Sequence, residues 1–292
     1  MGKPSLSIAD QHAKITLLGL ADTPPALHRA LASVGYFRLS GYWRYFQVQP
    51  SQGVNRFEPG ANIASIMDCY HSDAALRNLL MEGLAEVEVA ARAVLVAKLC
   101  KAGGSGDEYL DPKTYDAAYD AKGNSLTNAL LRDIHSDIDR SKERHVRHHR
   151  DKGTAVPLWV ATEALSFGVL SRMYGLLADQ AQRDFIAKRF GYTSSNDFST
   201  NLRAVSVFRN VCAHHGRIWN RTIAQDVPKI LPFLVEKSLI RMNYDKTPWG
   251  VISVVVDFVN RVRGHNGFSA EVSTLVPRSG IYWDGLISPS TK

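Results

Sequence analysis

After the turn signal Glu58-Pro59-Gly60, the chain keeps apolar residues at helical intervals from Asn62 to about Cys100: Ile63, Ile66, Met67, Tyr70, Leu76, Leu79, Leu80, Leu84, Val87, Ala91, Leu95 and Leu99. A helix of that length makes the chain mainly α, although Ser72 and Asp73, both good N-cap residues, mark a potential break. Periodicity predicts further helices at 5–19, 25–34, 125–148, 157–178, 180–190, 196–213, 226–241 and 247–263. Residues 101–124, rich in Gly, Asp and Tyr, read as a long surface loop. Weak strand or hairpin character is expected at 46–58 and in the tail at 265–287. The expected organisation is an N-terminal helical and aromatic extension (1–60), a helical domain (61–264) and a C-terminal tail (265–292).

With 292 residues and 45% hydrophobic content, the chain can bury one large core or two modest ones. Cys69, Cys100 and Cys212 are far apart and form no CxxC pair, which argues against a disulfide framework or zinc site and fits a reducing cytoplasm. The N-terminus lacks the apolar stretch of a signal peptide. The most apolar late segment, 251–262, contains Asp257 and Asn260 and falls short of the ~20 residues of a membrane span, so it reads as a buried helix and no membrane partner is expected. Neither a P-loop, GxSxG nor HExxH occurs, which removes support for nucleotide hydrolysis, serine esterase chemistry and zinc proteolysis.

The formal charge of +7 is moderate, but it is clustered. From Arg140 to Lys152, six Lys/Arg and three His face only Glu143 and Asp151, and from Phe198 to Gln225 four arginines and two histidines meet no acid at all. Clusters of this kind suit a polyanion, because each neutralised phosphate releases counterions; a solvated helix face is the plainer reading of the first cluster. Arg147 and Arg150 are its candidate RNA contacts.

The second cluster contains RNVCAHHGRIWNR, residues 209–221. On an ideal helix Asn210 and His214 share a face, which would let Asn210 hold the imidazole, whereas Arg209 and His214 diverge by about 140°. Either two copies related by a two-fold axis bring Arg and His together, or the helix unwinds before His214 with Gly216 as the stop. An imidazole that can accept and donate a proton, beside a guanidinium, suits attack of a ribose 2′-hydroxyl on its own phosphodiester, without metal or other cofactor, leaving a 2′,3′-cyclic phosphate. Arg209, Asn210 and His214 are the candidate catalytic residues; His215 would rather contact phosphate or cap a carbonyl. Arg217 and Arg221, four apart, form a potential phosphate row with Trp219 as a core or interface anchor.

Glu88 and Arg92, four apart among apolar neighbours, are either a self-satisfied structural pair or a positioning pair, with Glu88 orienting Arg209 or His214. Glu163 poses the same choice. In YFRLSGYWRYF (36–46) six of eleven residues are aromatic; Trp43 and Phe46 fit a core-facing stripe, and Arg38 and Arg44 are the candidate RNA contacts. His145, His148 and His149 have metal-clasping spacing, but their basic surroundings argue against a metal site.

RNVCAHH (209–215) resembles the signature of the HEPN superfamily. The order of YFRLSGYWRYF, LRNLLMEGLAEVEVAARA (76–93), PLWVATEALSFGVLSRMYGLL (157–177) and RNVCAHHGRIWNR resembles the Abi-like AbiD/AbiF abortive-infection family over roughly residues 5–240. The resemblance implies a HEPN-like helical bundle, a cytoplasmic homodimer with a composite site, and phage defence through RNA, in some relatives with a small noncoding RNA as partner. Arg209, Asn210 and His214 stand where the signature stands. Three readings remain open: a metal-independent endoribonuclease, a noncatalytic RNA-binding protein holding a structured noncoding RNA, and a helical scaffold whose histidine motif packs a dimer interface.

Overall fold

The computed structural model describes residues 5–21, 24–236 and 244–290. Ser7 opens α1 (Ile8–Leu17) by accepting from the Asp10 amide while the Asp10 carboxylate accepts from the Ser7 amide. There follow α2 (Pro24–Ser33), α3 (Tyr36–Trp43) and the expected hairpin of β1 (Gln47–Gln49) and β2 (Val54–Phe57), which turns through Gly53 in the left-handed region. Asn62 then caps α4 (Ile63–Leu99), its side chain accepting from the Ser65 amide at 2.9 Å. At about 1.5 Å per residue this helix is roughly 55 Å long. The potential break at Ser72 and Asp73 does not occur, because the Asp73 side chain turns into the core instead of capping a helix end.

Around α4 pack α5 (Leu126–Arg140), α6 (Arg144–Asp151), α7 (Leu158–Ala161), α8 (Phe167–Leu176), α9 (Gln180–Arg189), α10 (Ser195–Ala213), α11 (Pro232–Glu236), α12 (Pro248–Arg263), α13 (Gly267–Leu275) and α14 (Gly280–Ile287). Directly against α4 lie α2, α3, α8, α9, α10, α12, α13 and α14. The mainly helical fold is therefore organised on the segment whose apolar spacing runs longest in the sequence. Gly83, midway along α4, permits this closeness: a Cβ there would meet Val259 at 2.7 Å and Phe268 at 2.9 Å. The expected buried helix is α12, sealed from Pro248 to Asn260. Among the described residues no helix is long and apolar enough to cross a membrane.

Several boundaries differ from expectation for local reasons. The helix expected at 125–148 divides at Ser141, which is extended and whose hydroxyl accepts from the Glu143 amide, competing with the helical ladder. The one at 157–178 divides at Ser166, whose hydroxyl caps α8. Of 226–241, only 232–236 is helical among the described residues, and 237–241 lies outside them. Asp226 is left-handed, and Lys229 exchanges hydrogen bonds with the buried Asn201 side chain of α10, which keeps this stretch out of a helix. The tail at 265–287 forms two helices rather than strands, since Phe268 and Val272, four apart, bury one face of α13 against α4 and α12. The 101–124 loop is irregular apart from short 3₁₀ turns, and buried Tyr109 and Tyr115 tie it down.

Candidate functional site

The Ser194 hydroxyl caps the start of α10, and Phe198, Leu202, Val205, Phe208 and Cys212 face inward along it, so Asn210 and His214 emerge at its far end. There the amide of His215 donates to the Cys212 carbonyl at 3.0 Å and that of Gly216 to the Val211 carbonyl at 2.7 Å, closing the helix in a Schellman arrangement. The left-handed residue is His215, at φ 54°, rather than Gly216. Gly216 is needed for space, since a Cβ would lie 3.0 Å from both the Val211 carbonyl oxygen and its side chain. A non-glycine residue in this conformation costs on the order of 1–3 kcal/mol and persists only when its surroundings hold it.

Those surroundings come from α3. Arg38 donates through Nη2 to the His215 carbonyl at 2.7 Å, with its guanidinium 5.6 Å from the Tyr70 ring centroid. The next turn is held from below by Asp73, which is fully buried. Its carboxylate accepts from the amides of Ile218 (3.2 Å) and Trp219 (2.9 Å), from the Tyr42 hydroxyl (2.6 Å) and from Arg77. Burial pushes the Asp73 carboxyl above its ordinary range while these donors pull it back, and burial with the adjacent Asp73 charge keeps the Tyr42 phenol protonated. Trp219 is wholly buried, stacked on Tyr42; its indole donates to the Tyr282 carbonyl at 3.0 Å and the Asn220 amide to that of Gly285, also at 3.0 Å. This network was missed in the sequence, where Asp73 stood for a helix break; the usable signal was its i,i+4 spacing from Arg77 within an apolar stripe.

Arg209 turns the other way. Its Nη2 lies 3.0 Å from Glu88 Oε2, and its Nη1 donates to Asn210 Oδ1 at 3.2 Å. The other Glu88 oxygen accepts from Arg92 at 2.6 Å, and Arg92 in turn donates to the Leu165 carbonyl and stands 3.6 Å from the exposed Glu163. Glu88 thus fills both roles left open by the sequence, pairing with Arg92 and holding Arg209. Two expectations are corrected. The surroundings of Arg209 are not free of acid, because α4 brings Glu88 to it. And the Asn210 amide is engaged by Arg209 rather than by the imidazole of His214.

Arg217 is not an open phosphate contact. Its Nη1 donates to the carbonyls of Trp219 (2.6 Å) and Asn220 (2.7 Å), and its stem lies against Gly41 of α3. Burial lowers its pKa, and the nearby charges of Arg221 and Arg44 push the same way. Arg44 and Arg221 are exposed beside it, and Trp43 and Phe46 are in the core. Arg147 and Arg150 stand on α6, which packs on α7; Arg147 borders a concavity of about 490 Å³ with Lys142, Arg144, His148 and Asp151, while Arg150 lies 3.7 Å from Asp139. The structure therefore gathers Arg38, Arg44, His214, His215, Arg217 and Arg221 at the α10 terminus and leaves the α6 pair apart on its own helix.

Comparison with known proteins adds one positive finding. No curated protein and no solved structure matches the chain. The family model described as Abi-like protein matches residues 29–220, from α2 through the turn that follows His214. The match takes in about two-thirds of the chain and includes every residue of the α10 terminus except Arg221, and the chain accordingly belongs to the Abi-like family of abortive-infection, phage-defence proteins.

Proposed function

We propose that this protein acts in phage defence on RNA, as a metal-independent endoribonuclease whose site is completed by a second copy of the chain. The observation that carries the reading is the end of α10, where two exposed histidines sit on a turn surrounded by arginines from α3 and from residues 217–221. His214 is the proton-transfer group, and Arg209 of the other chain supplies charge to the phosphorane that forms when the 2′-hydroxyl attacks. Arg209 and His214 diverge by about 140° on an ideal helix, so a second copy, its Arg209 released from Glu88, brings guanidinium and imidazole to one phosphorus.

The test is RNA cleavage in EDTA, read by the appearance of 2′,3′-cyclic phosphate ends. His214→Ala is expected to lose on the order of 10² to 10⁴ in rate. Mixing Arg209→Ala with His214→Ala chains should restore part of the activity, because mixed dimers regain one intact site. Undiminished cleavage by His214→Ala would sink the proposal. A noncatalytic reading, in which the same residues grip the phosphates of a small structured noncoding RNA, is favoured by the occupancy of Arg209 by Glu88. It calls for tight, salt-sensitive binding with no turnover.

A further inference from the structure

The aromatic residues of α3 separate sharply by exposure. Tyr42 and Trp43 are buried and Tyr36 is half-buried against Trp43, but Phe37 is 91% exposed. A phenylalanine so placed stabilises nothing in the isolated chain, and its position is specific. Phe37, Gly41 and Arg44 lie at i, i+4 and i+7, on one face of the α3 turn. Gly41 on that face abuts the Arg217 stem, since a Cβ there would come within 3.1 Å of Nε. The residue after Phe37, Arg38, reaches the carbonyl of His215 at 2.7 Å. Phe37 is therefore next in sequence to the residue that ties α3 to the histidine-bearing loop, with exposed Arg44 on its own helix face and exposed Arg221 near Arg217, and neither 36–46 nor 209–225 contains a carboxylate.

We propose that Phe37 is a stacking platform for an unpaired base of RNA, with the flanking phosphates on Arg44 and Arg221, so that this surface takes single-stranded rather than duplex RNA. The inference rests on the RNA reading above and narrows its substrate class. An exposed aromatic ring on one helix face with an exposed arginine, and a second exposed arginine near by, matches what a single strand needs: a π-face for the base and point charges for the backbone. In a duplex the bases are already stacked on each other and the ring has nothing to receive. A second protein would need acidic groups to answer the arginines, which makes a polyanion the better occupant.

The experiment measures fluorescence anisotropy of a labelled single-stranded oligoadenylate, and of the same strand annealed to oligouridylate, with the full-length protein at low salt. Phe37→Ala is expected to weaken single-strand binding about 5- to 150-fold, Phe37→Trp to retain it, and duplex binding to change little for either. The slope of affinity against salt should stay as in the wild type for Phe37→Ala and become shallower for Arg44→Ala with Arg221→Ala. Equal weakening on single strand and duplex overturns the stacking assignment. So does unchanged RNA affinity accompanied by a shift in oligomeric state, which would make Phe37 a contact between chains. If Phe37→Ala binds normally while the arginine variants fail, this inference falls and the RNA reading stands; if the wild-type protein binds no RNA at low salt, both fall. Thermal melting of Phe37→Ala should match the wild type, because the ring is exposed.

Discussion

Asp73 and Glu88 are carboxylates on the inner side of the same helix, roughly 22 Å apart along its axis at the usual rise. Both reach the segment that carries the histidines, yet they hold it differently. Asp73 has no exposed surface and grips main-chain amides, so its partners cannot leave without breaking the core. Glu88 grips side chains at the edge of the core, sharing its two oxygens between Arg92 and a partly exposed Arg209. One acid sets where the backbone runs, and the other sets where a guanidinium rests. Only the second arrangement can be exchanged for a ligand without unfolding anything.

This difference can be broken at several points. Asp73→Ala should have the largest effect, about 3–5 kcal/mol of stability, because it leaves Arg77 buried without its partner; a drop in Tm on the order of 10 °C is expected in calorimetry. An unchanged Tm would mean that the network is dispensable. Tyr42→Phe removes one donor to the same carboxylate and should cost about 1.5–3 kcal/mol in chemical denaturation. Glu88→Gln keeps an acceptor for Arg92 and should cost about 1–3 kcal/mol, since Glu88 is buried, while freeing Arg209; RNA affinity, measured by anisotropy, should rise rather than fall. Lower affinity in that variant would show that Glu88 organises Arg209 rather than restraining it.

A third acid of α4 offers the smallest effect. Glu86 hydrogen-bonds Arg263 at 2.7 and 2.9 Å, and that bond holds its carboxyl below the ordinary glutamate range. A lowered folded-state pKa means that the pair adds stability above the unfolded value near 4.3, and that this contribution is lost as pH falls through the folded value. The effect should stay below about 1 kcal/mol, given how much solvent reaches Glu86. Arg263→Met should flatten this acid limb of the stability curve without touching RNA binding.

Much of the fold was legible because α4 buries a long periodic face and α12 is a near-continuous apolar run sealed on all sides, and both patterns are written directly in the sequence. The tail was misread because helices as short as α13 and α14 give too few repeats to separate helix from strand. The breaks at Ser141 and Ser166 turn on single hydroxyls, whose choice between backbone partners depends on tertiary surroundings. At the candidate site, the grouping of Arg38 with the histidine turn was not visible, since α3 and the end of α10 are 177 positions apart and only folding around α4 joins them. Glu88 was legible only as one of two choices, partner of Arg92 or positioner of Arg209 or His214, because spacing along α4 points it to Arg92 with equal force and only folding shows that it holds Arg92 and Arg209 together.

The closure of α14 over Trp219 has a practical consequence. The family match stops at residue 220, but the indole at 219 donates to Tyr282, the amide at 220 donates to Gly285, and a Cβ on Gly285 would strike the indole nitrogen at 2.1 Å. A fragment trimmed to the matched boundaries would therefore strip the lid from this tryptophan and unmoor the strand of backbone beside the histidines. Trimming for expression or crystallisation should spare the last helix, even though nothing in the family match would argue for keeping it.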